Sequence, residues 1–170
     1  MKAGHATLQD LKIKCSSSDT AGSVTIEEIK LAIACTQPPH ARTAVLFCEA
    51  MSSLAYNGKS PACDKIASAG GIAVIVQLLA CFVDEKDVVY SACLALGRLA
   101  ERGSAAVRSD IRSQPDMLTL LRSASARLQA WSKTDSATNA LNYVDPVLVS
   151  NSTHSESYRH VQVATVTFLM

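Results

Sequence analysis

The sequence predicts an all-α protein built from a repeated set of helices, and three observations carry that expectation. Of the 170 residues, 48% are hydrophobic but only 5% aromatic, with a single Trp; a core rich in Ala, Leu and Val favours close helix packing over an aromatic-rich sheet. The apolar residues recur at helical spacing, in stretches separated by Gly, Pro or short polar turns. The chain also matches itself. A shift of 45 residues lays Ala50, Met51 and Leu54 onto Ala95, Leu96 and Leu99, and a second such shift reaches Ala140, Leu141 and Val144. The same offset aligns Phe47 with Ala92 and Ala137, Ile66 with Ile111, and Ile72 with Met117.

In chain order, residues 1–23 hold a short helical pattern, Leu8, Leu11 and Cys15, followed by a Ser-rich stretch with the composition of a flexible linker. Residues 24–145 form the repeats, divided as 24–70, 71–114 and 115–145. The first opens with a helix over 24–35, where Thr25 and Glu28 have capping-box spacing, and Pro38 and Pro39 stop it. A long helix over about 41–56 and a short one over about 61–69 follow. In the second repeat Gly70 and Gly71 make a corner before a helix over 72–83, with Ile72, Ile75, Val76 and Leu79 on one stripe. Asp84, Glu85, Lys86 and Asp87 read as a polar turn, and 88–100 as a helix whose Ala92 and Ala95 allow close approach, ended by Gly103. The third repeat places helices over about 115–128 and 135–143, closed by Pro146. Beyond lies a tail, 146–170, whose last ten residues, 161–170, have high β-propensity. That segment is expected to dock on the chain itself or on a partner subunit, or to open a further repeat.

The segment 63–79, with Ala69, Gly70, Gly71 and Ile72 at its corner and the pair Leu78 and Leu79, resembles the junction between two armadillo repeats. The stretch Ala92 to Ala100 resembles the third helix of that family, as do 46–55 and, more loosely, 136–144. The resemblance spans residues 24–144 and implies a right-handed α-solenoid of about three repeats; HEAT-type helical repeats are the related alternative. It also implies a groove lined by the third helices, holding an extended peptide or a partner helix. The best-known peptide binders of the family, importin-alpha and its relatives, carry a Trp and an Asn four residues apart on that helix. Here those positions fall on Glu49 and Ser53, Leu94 and Arg98, and Asn139 and Tyr143. None keeps the pair, so the resemblance carries over a groove and not the reading of basic nuclear-import signals. Arg98, with Ser53 and Tyr143 beside it, would offer a cation, a hydroxyl and a phenol, a set suited to an acidic or phosphorylated segment.

The rest of the sequence narrows the function by what it does not supply. Sixteen basic and fifteen acidic residues leave a net charge of +1, which gives no electrostatic reason for a nucleic acid or an anionic membrane as partner. No stretch reaches the length of a membrane span, and the first residues have no uninterrupted apolar run of a secretory signal. The six cysteines, at 15, 35, 48, 63, 81 and 93, match no common zinc spacing. They read as reduced core residues of an intracellular, cytoplasmic protein, with nucleus or cilium compatible as well. The four histidines, at 5, 40, 154 and 160, share no helical face with a Cys or carboxylate. No phosphate loop follows Gly70 and Gly71. The expectation is therefore a non-enzymatic scaffold with no cofactor, no metal and a protein or peptide partner. The alternatives are an import-type adaptor for basic peptides, a subunit of a larger assembly such as a ciliary complex, or an enzyme using Cys63 or Cys48.

Overall fold

The computed structural model describes residues 2–130, and among them the only regular structure is helical. Eight helices follow in order: α1 (Lys2–Cys15), α2 (Ser18–Ala21), α3 (Ile26–Ala34), α4 (Ala41–Ser68), α5 (Gly71–Cys81), α6 (Lys86–Arg102), α7 (Ala105–Ser113) and α8 (Met117–Ala130). The all-α expectation holds for these residues. The expected helix over 135–143 and the tail lie outside them.

Local sequence explains most boundaries. Thr25 caps α3 by accepting from the Glu28 N–H at 3.2 Å, while the Glu28 carboxylate accepts from the Thr25 N–H at 2.8 Å. That reciprocal pair, with Lys14 Nζ at 2.7 Å, holds the Glu28 carboxyl below its ordinary range, the Lys14 hydrogen bond contributing most. Gly70 stands at φ 81°, a left-handed conformation that costs glycine nothing, and turns the chain into α5. At the end of α6, Gly103 donates its N–H back to the Leu99 carbonyl at 2.9 Å.

α4 is broken rather than continuous. Lys59, at φ 55° and ψ −155°, separates an arm over 41–58 from one over 60–68, and Pro61 sits in the first turn of the second arm. The expected break between a long and a short helix is therefore present, with the long arm running a few residues further. Displaced by 45 residues, both arms return: Lys86–Arg102 follows 41–57 and Ala105–Ser113 follows 60–68. α7 is thus the counterpart of the short arm. Its sequence, with only Val107 and Ile111 buried, carries too narrow a stripe to announce a helix by itself.

Two expectations need correction. The Ser-rich stretch after α1 is not a free linker: Ser17 caps α2, Ala21 is buried, and Lys65 Nζ donates to the carbonyls of Gly22 and Val24 at 3.1 and 2.9 Å. Asn57 Nδ2 likewise donates to the Cys15 carbonyl at 2.8 Å. Polar bonds to α4, invisible to hydrophobic periodicity, order it. The acidic turn is also shorter than read, because α6 already begins at Lys86.

The long arm of α4 packs most extensively on α6, and α4 is flanked on its other side by α1. α4 thus joins α1 and α6 in a row, α5 packs on both α4 and α6, and α7 and α8 pack on α6 and on each other. One apolar core runs through all of it. Leu8, Phe47, Met51, Leu54, Ile66, Ile72, Ile75, Leu79, Leu96 and Leu99 are fully buried within that cluster. The self-matching residues Ala50, Met51 and Leu54 and their counterparts Ala95, Leu96 and Leu99 all lie in it. Among the described residues no single helix is long and apolar enough to cross a membrane; α4 and α5 together would be, but they are bent by 75° and supply core residues.

Candidate functional site

The residues expected to line a groove lie on the outer face of the α1, α4 and α6 row. Glu49 and Ser53 are half-buried on the long arm of α4, and Leu94 and Arg98 are half-buried on the adjacent α6. Their i, i+4 spacing puts each pair on one helical stripe. Asn139 and Tyr143 lie outside the described residues.

Charge is already committed at one end of this face. Lys12 of α1 donates to Glu49 Oε2 at 2.6 Å, so the carboxylate has a cation of the chain itself on it. At the other end the composition reverses. Arg98 donates to Ser52 Oγ at 3.0 Å, linking α6 to α4, and its guanidinium lies 4.9 Å from the centre of the Tyr56 ring. Arg102, one turn on, lies 4.7 Å from the same ring. The Tyr56 side chain is 49% exposed, so the ring is presented to solvent with a guanidinium against it from each of two positions.

Arg98 therefore has a hydroxyl and a phenol beside it, and among the described residues they are Ser52, in place of the expected Ser53, and Tyr56. Three residues outside the expected set, Ser52, Tyr56 and Arg102, complete the cluster. Their signal in the sequence is a matched i, i+4 spacing on two helices one repeat apart, Ser52 with Tyr56 and Arg98 with Arg102. The one-residue difference between Ser53 and Ser52 reflects lateral packing, since Arg98 reaches across to the neighbouring helix and not to the residue in its own repeat frame.

The cysteines proposed as possible nucleophiles are poorly placed for that role. Cys48 is fully buried and burial raises its thiol far above the ordinary value; burial likewise pushes Cys63 up to about 11 and Cys93 up to about 12. Thiols held in this way stay protonated near neutral pH. Among the described residues no group of three or more His, Cys, Asp or Glu side chains is arranged to hold a metal ion. A separate cleft of about 580 Å³ gathers His5, Cys35, His40 and Arg42, a juxtaposition of His and Cys that their sequence positions conceal. His40 is occupied there in capping α4, its Nδ1 accepting from the Arg42 N–H at 3.2 Å.

No family model matches the chain, and comparisons with curated proteins and with solved structures also give no match.

Proposed function

We propose that this chain is a small armadillo-like, right-handed α-solenoid that works as a non-enzymatic protein-binding module or scaffold, holding a partner segment along the outer face of α1, α4 and α6. The observation that carries the reading is the row itself: long helices one repeat apart lie side by side and present half-exposed polar residues above a continuous core. The return of the α4 break and arms after 45 residues supports stacked repeats. Such units share their core with neighbours and leave one face open, which suits binding better than catalysis. Four of the six unpaired thiols, Cys15, Cys48, Cys63 and Cys93, are buried, whereas Cys35 is half-buried and Cys81 exposed rather than in the core as expected; free thiols of this kind fit a reducing intracellular compartment.

An import-type adaptor for basic peptides has less in its favour. Glu49, the acidic residue of the face, already holds Lys12, and Arg98 with Arg102 would repel a Lys-rich segment. Crosslinked affinity capture from cells, comparing the wild-type chain with Arg98→Glu, tests the leading reading. The expected result is one specific partner retained by the wild type and lost by the variant while the thermal melt is little changed. Identical capture by both proteins would remove this face from the function.

A further inference from the structure

We infer that the Tyr56, Arg98 and Arg102 cluster is a receptor for a phosphoryl group carried on a side chain of the partner segment. This rests on the binding-module reading above and specifies the chemistry of its occupant. Two guanidiniums sit against one aromatic ring, and like charges so close repel unless an anion lies between or beside them. Within the described residues their compensation is thin. The Glu101 carboxylate approaches Arg102 Nε only to 3.7 Å, beyond hydrogen-bonding distance, and no carboxylate pairs with Arg98. Arg102 Nε is buried yet donates to nothing. A buried donor with no acceptor is costly, and a shift of the Arg102 side chain onto an incoming oxygen would remove that cost.

Acceptor number decides between a carboxylate and a phosphoryl group. Each guanidinium is a rigid fork of donors, and one Arg98 nitrogen is spent on Ser52. Two forks, set one helical turn apart on α6 and both against the Tyr56 ring, present more donors than the two oxygens of a carboxylate take up in one bidentate pair. A phosphate monoester brings three acceptor oxygens and close to two negative charges. It can take one fork on each side while its ester oxygen leads away to the peptide. Ser52 keeps Arg98 oriented, so the rearrangement needed to bind falls on Arg102. The centre of the Tyr56 ring lies 4.9 Å from one cation and 4.7 Å from the other.

The test uses the full chain in fluorescence-anisotropy titrations with three degenerate peptide pools, fixed at the centre with phosphoserine, Glu or Ser. The phosphoserine pool is expected to bind about tenfold or more tightly than either other pool, the advantage of a charge-assisted hydrogen bond. The double variant Arg98→Gln, Arg102→Gln should lose that preference. Should the variant fail to fold, the Arg102 Nε–H resonance of the wild-type protein supplies the second measurement: it should shift with the phosphoserine pool and not with the Ser pool. Equal binding of the phosphoserine and Glu pools, or an unmoved Arg102 resonance, overturns the inference. So does competition by inorganic phosphate alone at the same concentration as the phosphopeptide. The two readings fail separately. A partner captured equally before and after phosphatase treatment leaves the module standing and ends the phosphoryl receptor, whereas no Arg98-dependent capture at all ends the module.

Discussion

Replacing Phe47 by Ala is expected to destabilise the chain by about 3–5 kcal/mol, the usual cost of deleting a fully buried aromatic side chain. Phe47 is fully buried on the long arm of α4, the helix that packs on both α1 and α6. Its counterparts one and two repeats on are Ala92 and Ala137, so no equivalent bulk stands at the matching positions to fill the gap. A cavity there opens the shared core on the helix that packs on both neighbours. Under the proposed solenoid reading, whose units rely on their neighbours, that loss would spread in both directions along the row. Domains of this size hold only about 5–15 kcal/mol in total, so the midpoint of thermal unfolding followed by circular dichroism should fall by about 10 °C or more. Leu128→Ala, in the last described helix, provides the contrast, because among the described residues α8 packs chiefly on α5, α6 and α7 rather than on α4, the helix at the centre of the contacts. Equal losses from the two substitutions would contradict the central role assigned to α4.

The parts of the fold legible in the sequence were those written in wide apolar stripes or in punctuation. The stripe Ile72, Ile75, Val76 and Leu79 is buried in α5 as its spacing implies, and Thr25 with Glu28 makes the capping box. Gly70 opens α5 in the left-handed conformation. What periodicity missed was held by other forces. α2 and the turns around it are fixed by Lys65 and Asn57 bonding to backbone carbonyls more than 40 residues away in sequence, and no local pattern encodes such partners. α7 depends on two buried side chains and on its neighbours. The candidate site divides along the same line. Arg98 is legible because the repeat frame points to it, but its real partners depend on how α6 is rotated against α4. A single residue along a helix turns the side chain by about 100°, which is why Ser52 stands where Ser53 was expected.

The corner between the long and short helices offers the second large effect and a test of whether the repeat is a unit of packing. Gly58 and Gly103 occupy the same place one repeat apart, and a Cβ on either would meet the same neighbour: Ala62 Cβ at 2.5 Å from Gly58, Val107 Cγ1 at 2.6 Å from Gly103. At Gly103 it would also lie 2.4 Å from the Leu99 carbonyl oxygen, which is backbone and has nowhere to retreat. The Gly103 backbone, at φ −75° and ψ 166°, suits any residue, so the penalty of Gly103→Ala is steric. Relief would require opening the corner. That movement would break the Gly103 to Leu99 hydrogen bond and disturb Ser104, which caps α7 and donates to Asp64 Oδ1 at 2.7 Å. Overpacking of this kind costs about 1–3 kcal/mol, and denaturant unfolding should register it as a lower midpoint for Gly103→Ala. Lys59 should behave oppositely. Its φ of 55° with ψ of −155° falls where glycine alone is comfortable, so Lys59→Gly releases strain and is expected to raise the midpoint, by about 1 kcal/mol after the entropy cost of glycine. The corner thus tolerates a glycine moved one residue along but not a side chain added at its hinge. A neutral Gly103→Ala, or a Lys59→Gly that destabilises, would mean that the two corners are not the same packed unit. The short helices would then belong to a bundle in which the 45-residue spacing has no structural meaning.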